Sequence, residues 1–146
     1  MKLSEYEKIK YFDRLWEITE TCYTGIECPD RMMFDRLMRQ GVAFIWYYGT
    51  PDSIQGYALV TPDPSWAPLL VSIAVMPSFQ GVGVGKMILR EVSNYYRSQG
   101  RQQIVLHCKT DNPAQILYFK EGYRVTAYLR NYYKPEGDGL EMRKML

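Results

Sequence analysis

The chain reads as an α/β protein: a mixed sheet flanked by helices, in the order α-α-β-β-β-α-β-α-β-β. Three observations predict it. Apolar residues recur at helical spacing through the first forty positions. Short runs rich in β-branched and aromatic residues, separated by turn formers, follow them. Between two such runs, the stretch Gln80-Gly81-Val82-Gly83-Val84-Gly85 leads from an apolar segment into an amphipathic one, as a strand leads through a turn into a helix.

Taken in order, residues 4–22 place Ile9, Phe12, Leu15, Trp16 and Ile18 on one helical face with charged residues between them. This predicts the first helix, with no strand ahead of it. Residues 23–29 read as a loop and Asp30 as a helix cap. Met32, Met33, Phe34, Leu37 and Met38 then form the apolar side of a second helix ending near Gly41. Residues 42–48 and 55–61 flank Gly49-Thr50-Pro51-Asp52-Ser53, which predicts an antiparallel hairpin. Pro62, Pro64 and Pro68 interrupt regular structure before the apolar strand at 69–76. In the next helix, 86–98, the stripe Val84, Ile88, Val92 and Tyr95 faces the core, and Gly100 terminates it. A strand at 102–108, a short helix at 112–121 stopped by Gly122, a strand at 123–130 and a last strand at 140–145 complete the order. The strand-helix-strand unit from 69 to 108 predicts a parallel crossover.

Composition narrows the function classes. The 146 residues, 47% of them hydrophobic, suit one domain spanning 1–146. A net charge of +2 with scattered Lys and Arg predicts no nucleic-acid partner. Neither a signal-like segment nor an apolar run of about eighteen residues is found, so the expectation is a soluble cytoplasmic protein without a membrane partner. Cys22, Cys28 and Cys108 are expected as reduced thiols. With His107 they lack the spacing of a structural zinc site, so no metal is expected. Either a monomer or a homodimer fits the composition.

The glycine turn carries the chemistry. A helix start leaves backbone N–H groups without intrahelical partners, and glycine lets an anion approach them, so the ligand should bear phosphate. A Walker A loop would need glycine at Gln80 and Ser or Thr at Met87. A dinucleotide fingerprint would need glycine at Lys86 and an acidic residue near Leu106, His107 or Cys108. What remains, Gln-x-x-Gly-x-Gly after Val75-Met76-Pro77, resembles the coenzyme A pyrophosphate loop of the GNAT superfamily of N-acetyltransferases. The segment from Asp111 to Tyr123, with Asn112, Ala114, Leu117, Tyr118 and Gly122, is similar to a second stretch of that family. Together the two motifs extend the resemblance over about half the chain.

The resemblance implies a GNAT-like fold and acetyl-CoA as acyl donor. It implies that backbone groups of Ile73, Ala74 and Val75 pair with the pantetheine arm, and that N–H groups of Gln80, Gly81, Val82, Gly83, Val84, Gly85 and Lys86 hold the pyrophosphate. Asn112 matches the asparagine beside the pantetheine, and an N–H near Val75 would polarise the acetyl carbonyl. Many relatives carry arginines where Gly81 and Val82 stand, which leaves amides, helix dipole and Lys86 or a more distant cation to bind the phosphates.

Acetyl transfer needs an uncharged amine, hence a base with a pKa near neutrality. His107, the single histidine, is the first candidate; it precedes Asn112 by the five residues that separate base and asparagine in N-terminal acetyltransferases of this superfamily. Anchored on Tyr118 instead, the alignment puts Leu106 there, and a histidine packed with its nitrogens satisfied is the alternative. Tyr118 matches the tyrosine that protonates the leaving thiolate; an aromatic packing contact is the other reading. The ending from Leu129 to Leu146 resembles that of protein N-terminal acetyltransferases, including the ribosomal-protein alanine type, and implies that Tyr132 and Tyr133 border the acceptor cleft, opposite residues 23–27. Glu27 or Asp138 would attract the ammonium; an ordinary polar hairpin is the alternative. The expected activity is direct acetylation of a protein or peptide amine. A small amine as acceptor, or a noncatalytic acyl-CoA-binding module, is the rival reading.

Overall fold

The computed structural model describes residues 1–23, 28–62, 67–135 and 137–146. Six strands make one sheet, ordered β1-β2-β3-β4-β6-β5. They are β1 Val42–Tyr47, β2 Ile54–Thr61, β3 Leu69–Val75, β4 Gln103–Lys109, β5 Tyr123–Leu129 and β6 Gly139–Met145. The helices are α1 Glu5–Lys10, α2 Phe12–Cys22, α3 Arg31–Gln40, α4 Val84–Ser98 and α5 Gln115–Lys120. β3 and β4, joined through α4, are parallel as expected, and the other neighbouring strands are antiparallel.

The helix expected over 4–22 is in fact two. Ser4 caps α1 in a reciprocal box with Glu7, and the backbone leaves helical geometry at Tyr11 (φ −98°, ψ 4°) before α2 begins. Two burials accompany the bend. Tyr11 enters the core, and the Lys8 ammonium donates to the carbonyls of Met38 and Gly41 at 2.8 and 2.9 Å, satisfying the C-terminal end of α3. Ahead of α1, Lys2 bridges Phe44 of β1, so the sheet edge gains a short pairing that the sequence did not predict.

Both sheet faces are covered around β1–β3. On one face Phe44, Ala58, Val60, Leu70 and Leu106 pack with Ile88, Leu89 and Val92 of α4. On the other, Ile45, Tyr57 and Leu59 pack with Leu15 and Ile18 of α2 and Phe34 and Met38 of α3. Each fully buried aliphatic side chain contributes about 1.5–3 kcal/mol. On α4, Tyr96 is buried where Tyr95 was expected; Tyr95 instead meets the Phe44 ring edge-on at 5.5 Å.

A bulge positions the site. β3 and β4 pair only at Leu69–Val105 and Leu70–Leu106. Leu59 pairs with Ser72 while its neighbour Val60 pairs with Leu70, so Val71 is an extra residue on β3. Such a bulge bends the strand that carries it. Beyond it the parallel strands separate, and the edge of β3 from Val71 to Val75 faces a gap rather than a neighbouring strand.

Candidate active site

The gap between β3 and β4 holds two cavities. The larger, about 970 Å³, runs from Ile73, Ala74 and Val75 past the glycine turn to Asn112 and Tyr118. The smaller, about 170 Å³, is lined by Val71, Ser72, Leu106, His107, Cys108 and Tyr133. Tyr23, Ile73, Asn112 and Tyr118 line both. The two spaces therefore meet at Tyr118.

At the far end of the larger cavity the chain makes a 3₁₀ turn, Pro77–Phe79, then passes Gly81 (φ 80°) and Gly83 (φ 94°) into α4. No side chain caps α4, and Met87 N to Gly83 O at 3.1 Å is its first backbone bond. The N–H groups of Val84, Gly85 and Lys86 consequently have no intrahelical acceptor. A Cβ built on Gly81 or Gly83 would meet nothing within 4 Å, so open space lies beside these amides. Gly85 answers to packing: a Cβ there would lie 3.1 Å from Leu117 of α5. Gln80 turns its side chain back, Nε2 donating to the Val75 carbonyl at 2.8 Å, and so ties the loop to the strand. Val82 is 76% exposed and does not line the cavity, leaving only its backbone for a ligand. Lys86, Lys109 and Lys120 border the cavity together. The last two were invisible to spacing arguments, because they lie 24 and 35 positions beyond Gly85.

Along β3, Met76 N donates to Gln55 O, so antiparallel alternation turns the polar groups of Val75 and Ile73 away from β2 and into the gap. The Val75 carbonyl accepts from Gln80 and from the Cys22 thiol at 3.2 Å. Ile73 is also engaged: the Tyr23 hydroxyl accepts its N–H at 3.1 Å and donates to its carbonyl at 2.6 Å. Asn112 Oδ1 accepts from Ala114 N at 2.9 Å and starts the turn into α5.

Tyr118, 6% exposed, stands edge-on to Tyr123 at 6.0 Å between ring centroids. Burial pushes its pKa well above the ordinary phenol value, so it is a neutral O–H donor at any physiological pH. His107 lies on the sheet face opposite Leu106 and Cys108, which pack under α4. Its Nδ1 is 2.9 Å from the Tyr132 hydroxyl and its Nε2 3.7 Å from Glu141 Oε2. Desolvation lowers the His107 pKa, partly offset by Glu141. Nδ1 thus has a hydrogen-bond partner, while Nε2 faces the Glu141 carboxylate at a distance longer than a hydrogen bond. Leu106 is 2% exposed in the core and offers no alternative base.

Tyr132 meets His107 and Tyr133 edge-on, at 5.2 and 4.9 Å between centroids. A Cβ on Gly139 would come within 3.0 Å of Tyr133 and 3.2 Å of Tyr132, so only glycine lets both rings fold over the start of β6. The Asp138 carboxylate accepts from Asn131 N and the Tyr128 hydroxyl, and these two donors hold its pKa down. Glu27 lies outside the described residues. Glu141, not predicted from sequence, also accepts from Arg143 Nε and Thr126 Oγ1, each at 2.8 Å. None of the three cysteines forms a disulfide, and among the described residues no His, Cys, Asp and Glu cluster could hold a metal. Nor, among them, is any helix long and apolar enough to cross a membrane.

The profile of the Acetyltransferase (GNAT) family matches residues 12–123. The chain belongs to this family. A curated GNAT relative, the ribosomal protein bS18-alanine N-acetyltransferase of Haemophilus influenzae, is 36% identical over 69 residues, covering 47% of this chain and 47% of that protein. The match therefore spans about half the length of that relative. The crystal structure of the ribosomal-protein-S18-alanine N-acetyltransferase of Escherichia coli superposes with a TM-score of 0.83 at 19% identity, covering 99% of this chain and 94% of that one. A GNAT acetyltransferase of Elizabethkingia anophelis, solved with acetyl-CoA bound, gives 0.72 at 22% identity, covering 81% and 84%. These structures share the mixed sheet and flanking helices of the GNAT fold.

Proposed function

We propose that this chain is a one-domain, cytoplasmic, acetyl-CoA-dependent N-acetyltransferase that transfers acetyl directly to the amino terminus of a peptide or protein. The observation that carries the reading is the meeting of two cavities at Tyr118: one ends on phosphate-ready amides, the other reaches His107 and Tyr133. The name of the Haemophilus influenzae relative, an alanine N-acetyltransferase of a ribosomal protein, supports a peptidyl acceptor. The Elizabethkingia anophelis neighbour supports acetyl-CoA as donor.

The residues fit that donor. Amides from Gln80 to Lys86, the α4 dipole and the lysines 86, 109 and 120 would hold its pyrophosphate. The β3 edge at Ile73 and Val75, with Asn112 opposite, would align the pantetheine, while the Ala74 backbone is turned to β2, and the Val75 N–H would polarise the thioester carbonyl. Bound, the donor supplies an activated acetyl group. Nitrogen forms the new bond to the acetyl carbon as the C–S bond breaks; the amine gives up one proton, and Tyr118 returns one to the departing sulfur. Tyr132 and Tyr133 border the acceptor's path to the smaller cavity.

The test is thiol release from acetyl-CoA with N-terminal peptides, lysine peptides and small amines. Turnover fastest with N-terminal peptides is expected. A preference for small amines regardless of peptide sequence overturns the acceptor class, and no turnover with any amine leaves only an acyl-CoA-binding module.

A further inference from the structure

The single histidine is wired into a line of three polar side chains from three separate elements. Glu141 on β6 is the register partner of His107 on β4, so the sheet itself places the carboxylate beside the imidazole. Arg143 and Thr126 fix the carboxylate, and the Arg143 contact is the main cause that keeps Glu141 ionised below the ordinary glutamate range. At 3.7 Å, Glu141 Oε2 and His107 Nε2 are in electrostatic contact, longer than a hydrogen bond. This contact still selects the tautomer, because a bare Nε2 lone pair would face a negative oxygen. Nε2 therefore carries the proton and Nδ1 is the acceptor. A neutral Nδ1 in turn requires the Tyr132 hydroxyl, 2.9 Å away, to donate to it. With its proton donated to His107, the Tyr132 oxygen keeps its lone pairs for another donor, and the residue is 50% exposed.

We propose that Glu141, His107 and Tyr132 form a proton relay in which the Tyr132 oxygen, rather than the imidazole, receives the acceptor amine's proton. This rests on the acetyltransferase reading above. As nitrogen's N–H bond breaks, its proton forms a bond to Tyr132 Oη, and the hydroxyl's own proton passes to His107 Nδ1. The imidazolium so formed is balanced by Glu141. No oxidant or further reactant is needed, and the proton leaves His107 to water after transfer. Glu141 is a positioning residue: it touches no reactant, but sets the tautomer and steadies the positive ring. Among the described residues, the other titratable or charged groups facing His107 are Arg143 from β6, Tyr133 from the loop after β5, and Tyr23 and Tyr118 across the smaller cavity; the neighbouring Cys108 points to the opposite face. Of these Arg143 opposes protonation, while desolvation opposes it more strongly.

One histidine makes the test direct, since every imidazole nitrogen signal belongs to His107. Long-range proton–nitrogen NMR of the protein without substrates should show the Nε2–H tautomer. Glu141→Gln should lower the His107 titration midpoint and mix the tautomers. An Nδ1–H tautomer in the native protein, or a midpoint indifferent to Glu141→Gln, overturns the relay. In turnover, Tyr132→Phe and His107→Gln should each reduce kcat/KM at pH 7 by about a hundredfold, and the double variant should lose little more. Glu141→Gln should move the acidic limb of the kcat/KM profile to lower pH; a merely structural glutamate would lower the plateau and leave the limb in place. Calorimetric acetyl-CoA affinity, expected to be unchanged in all three variants, confirms that they are folded. A Tyr132→Phe enzyme with native kcat/KM overturns the relay while the acetyltransferase reading stands. Absence of turnover in the native protein overturns that reading itself.

Discussion

One phenol satisfies both edge groups of one residue: the Tyr23 hydroxyl accepts the Ile73 N–H and donates to the Ile73 carbonyl. Behind it, the Tyr57 hydroxyl sits 2.7 Å from Ser72 Oγ and 2.6 Å from Thr19 Oγ1, which links this edge to α2. A pantetheine arm aligned on β3 would need those same Ile73 groups, so donor and Tyr23 compete for them. At about 1 kcal/mol for each of two bonds, Tyr23→Phe should tighten acetyl-CoA binding by about tenfold or more, because the empty protein loses what the ligand would otherwise have to displace. Isothermal calorimetry reads this. An unchanged or weaker affinity would mean that the donor does not lie along Ile73.

The glycine turn makes a prediction with its own control. Gly83 and Gly49 both have positive φ, 94° and 78°, and a Cβ on either would touch nothing within 4 Å. Alanine at each position should therefore cost about 1–2 kcal/mol of backbone strain, lowering Tm by about 3–8 °C. Gly49 lies in the β1–β2 turn, away from both cavities, whereas Gly83 N-caps α4. Only Gly83→Ala should also weaken acetyl-CoA, by putting a methyl group where the pyrophosphate approaches. Equal loss of affinity in the two variants would remove the turn from the site.

How much of this was legible depends on whether the signal is local. The glycine turn, the α4 stripe apart from Tyr95 and the Tyr118 motif are carried within stretches of a dozen or so residues, and each falls in the element expected of it. The break at Tyr11 was hidden because no Gly or Pro marks it, and the acceptors of the buried Lys8 beside it, Met38 of α3 and the α3 cap Gly41, are about thirty residues away. Glu141 was hidden for a similar reason: only the pairing of β4 with β6, 34 residues apart at His107 and Glu141, brings it to the imidazole. His107 itself was visible as a candidate, but the direction of its nitrogens comes from Tyr132 and Glu141 and not from its place on β4. The Val71 bulge, which opens the gap, is marked by no Gly or Pro in a run that is apolar but for Ser72.

The cations around the larger cavity should be felt through phosphate alone. Lys86→Gln, Lys109→Gln and Lys120→Gln should each weaken acetyl-CoA about two- to tenfold, an effect that fades as salt screens the charges. S-acetylpantetheine, which lacks the pyrophosphate, should bind the variants and the native protein alike. Equal losses for both donors would show that the lysines act on the fold rather than on phosphate.

Tyr118 tests the junction of the two cavities. Its ring packs edge-on to Tyr123 and its hydroxyl is held neutral by burial, so Tyr118→Phe removes one proton donor while keeping the ring that fills the space. The departing thiolate would then have to take its proton from water, and kcat should fall by at least about tenfold. Acetyl-CoA affinity should stay within about twofold, because the loss falls on the step and not on the ground state. The pH profile supplies a second check with a defined sign. A phenol whose folded pKa is raised stays protonated through the whole range in which an acceptor amine is tested, so Tyr118 adds no basic limb to the native kcat below about pH 10. A basic limb near neutrality that disappears in Tyr118→Phe would contradict the buried, neutral donor, and an unchanged kcat would return Tyr118 to the packing of α5 against β5.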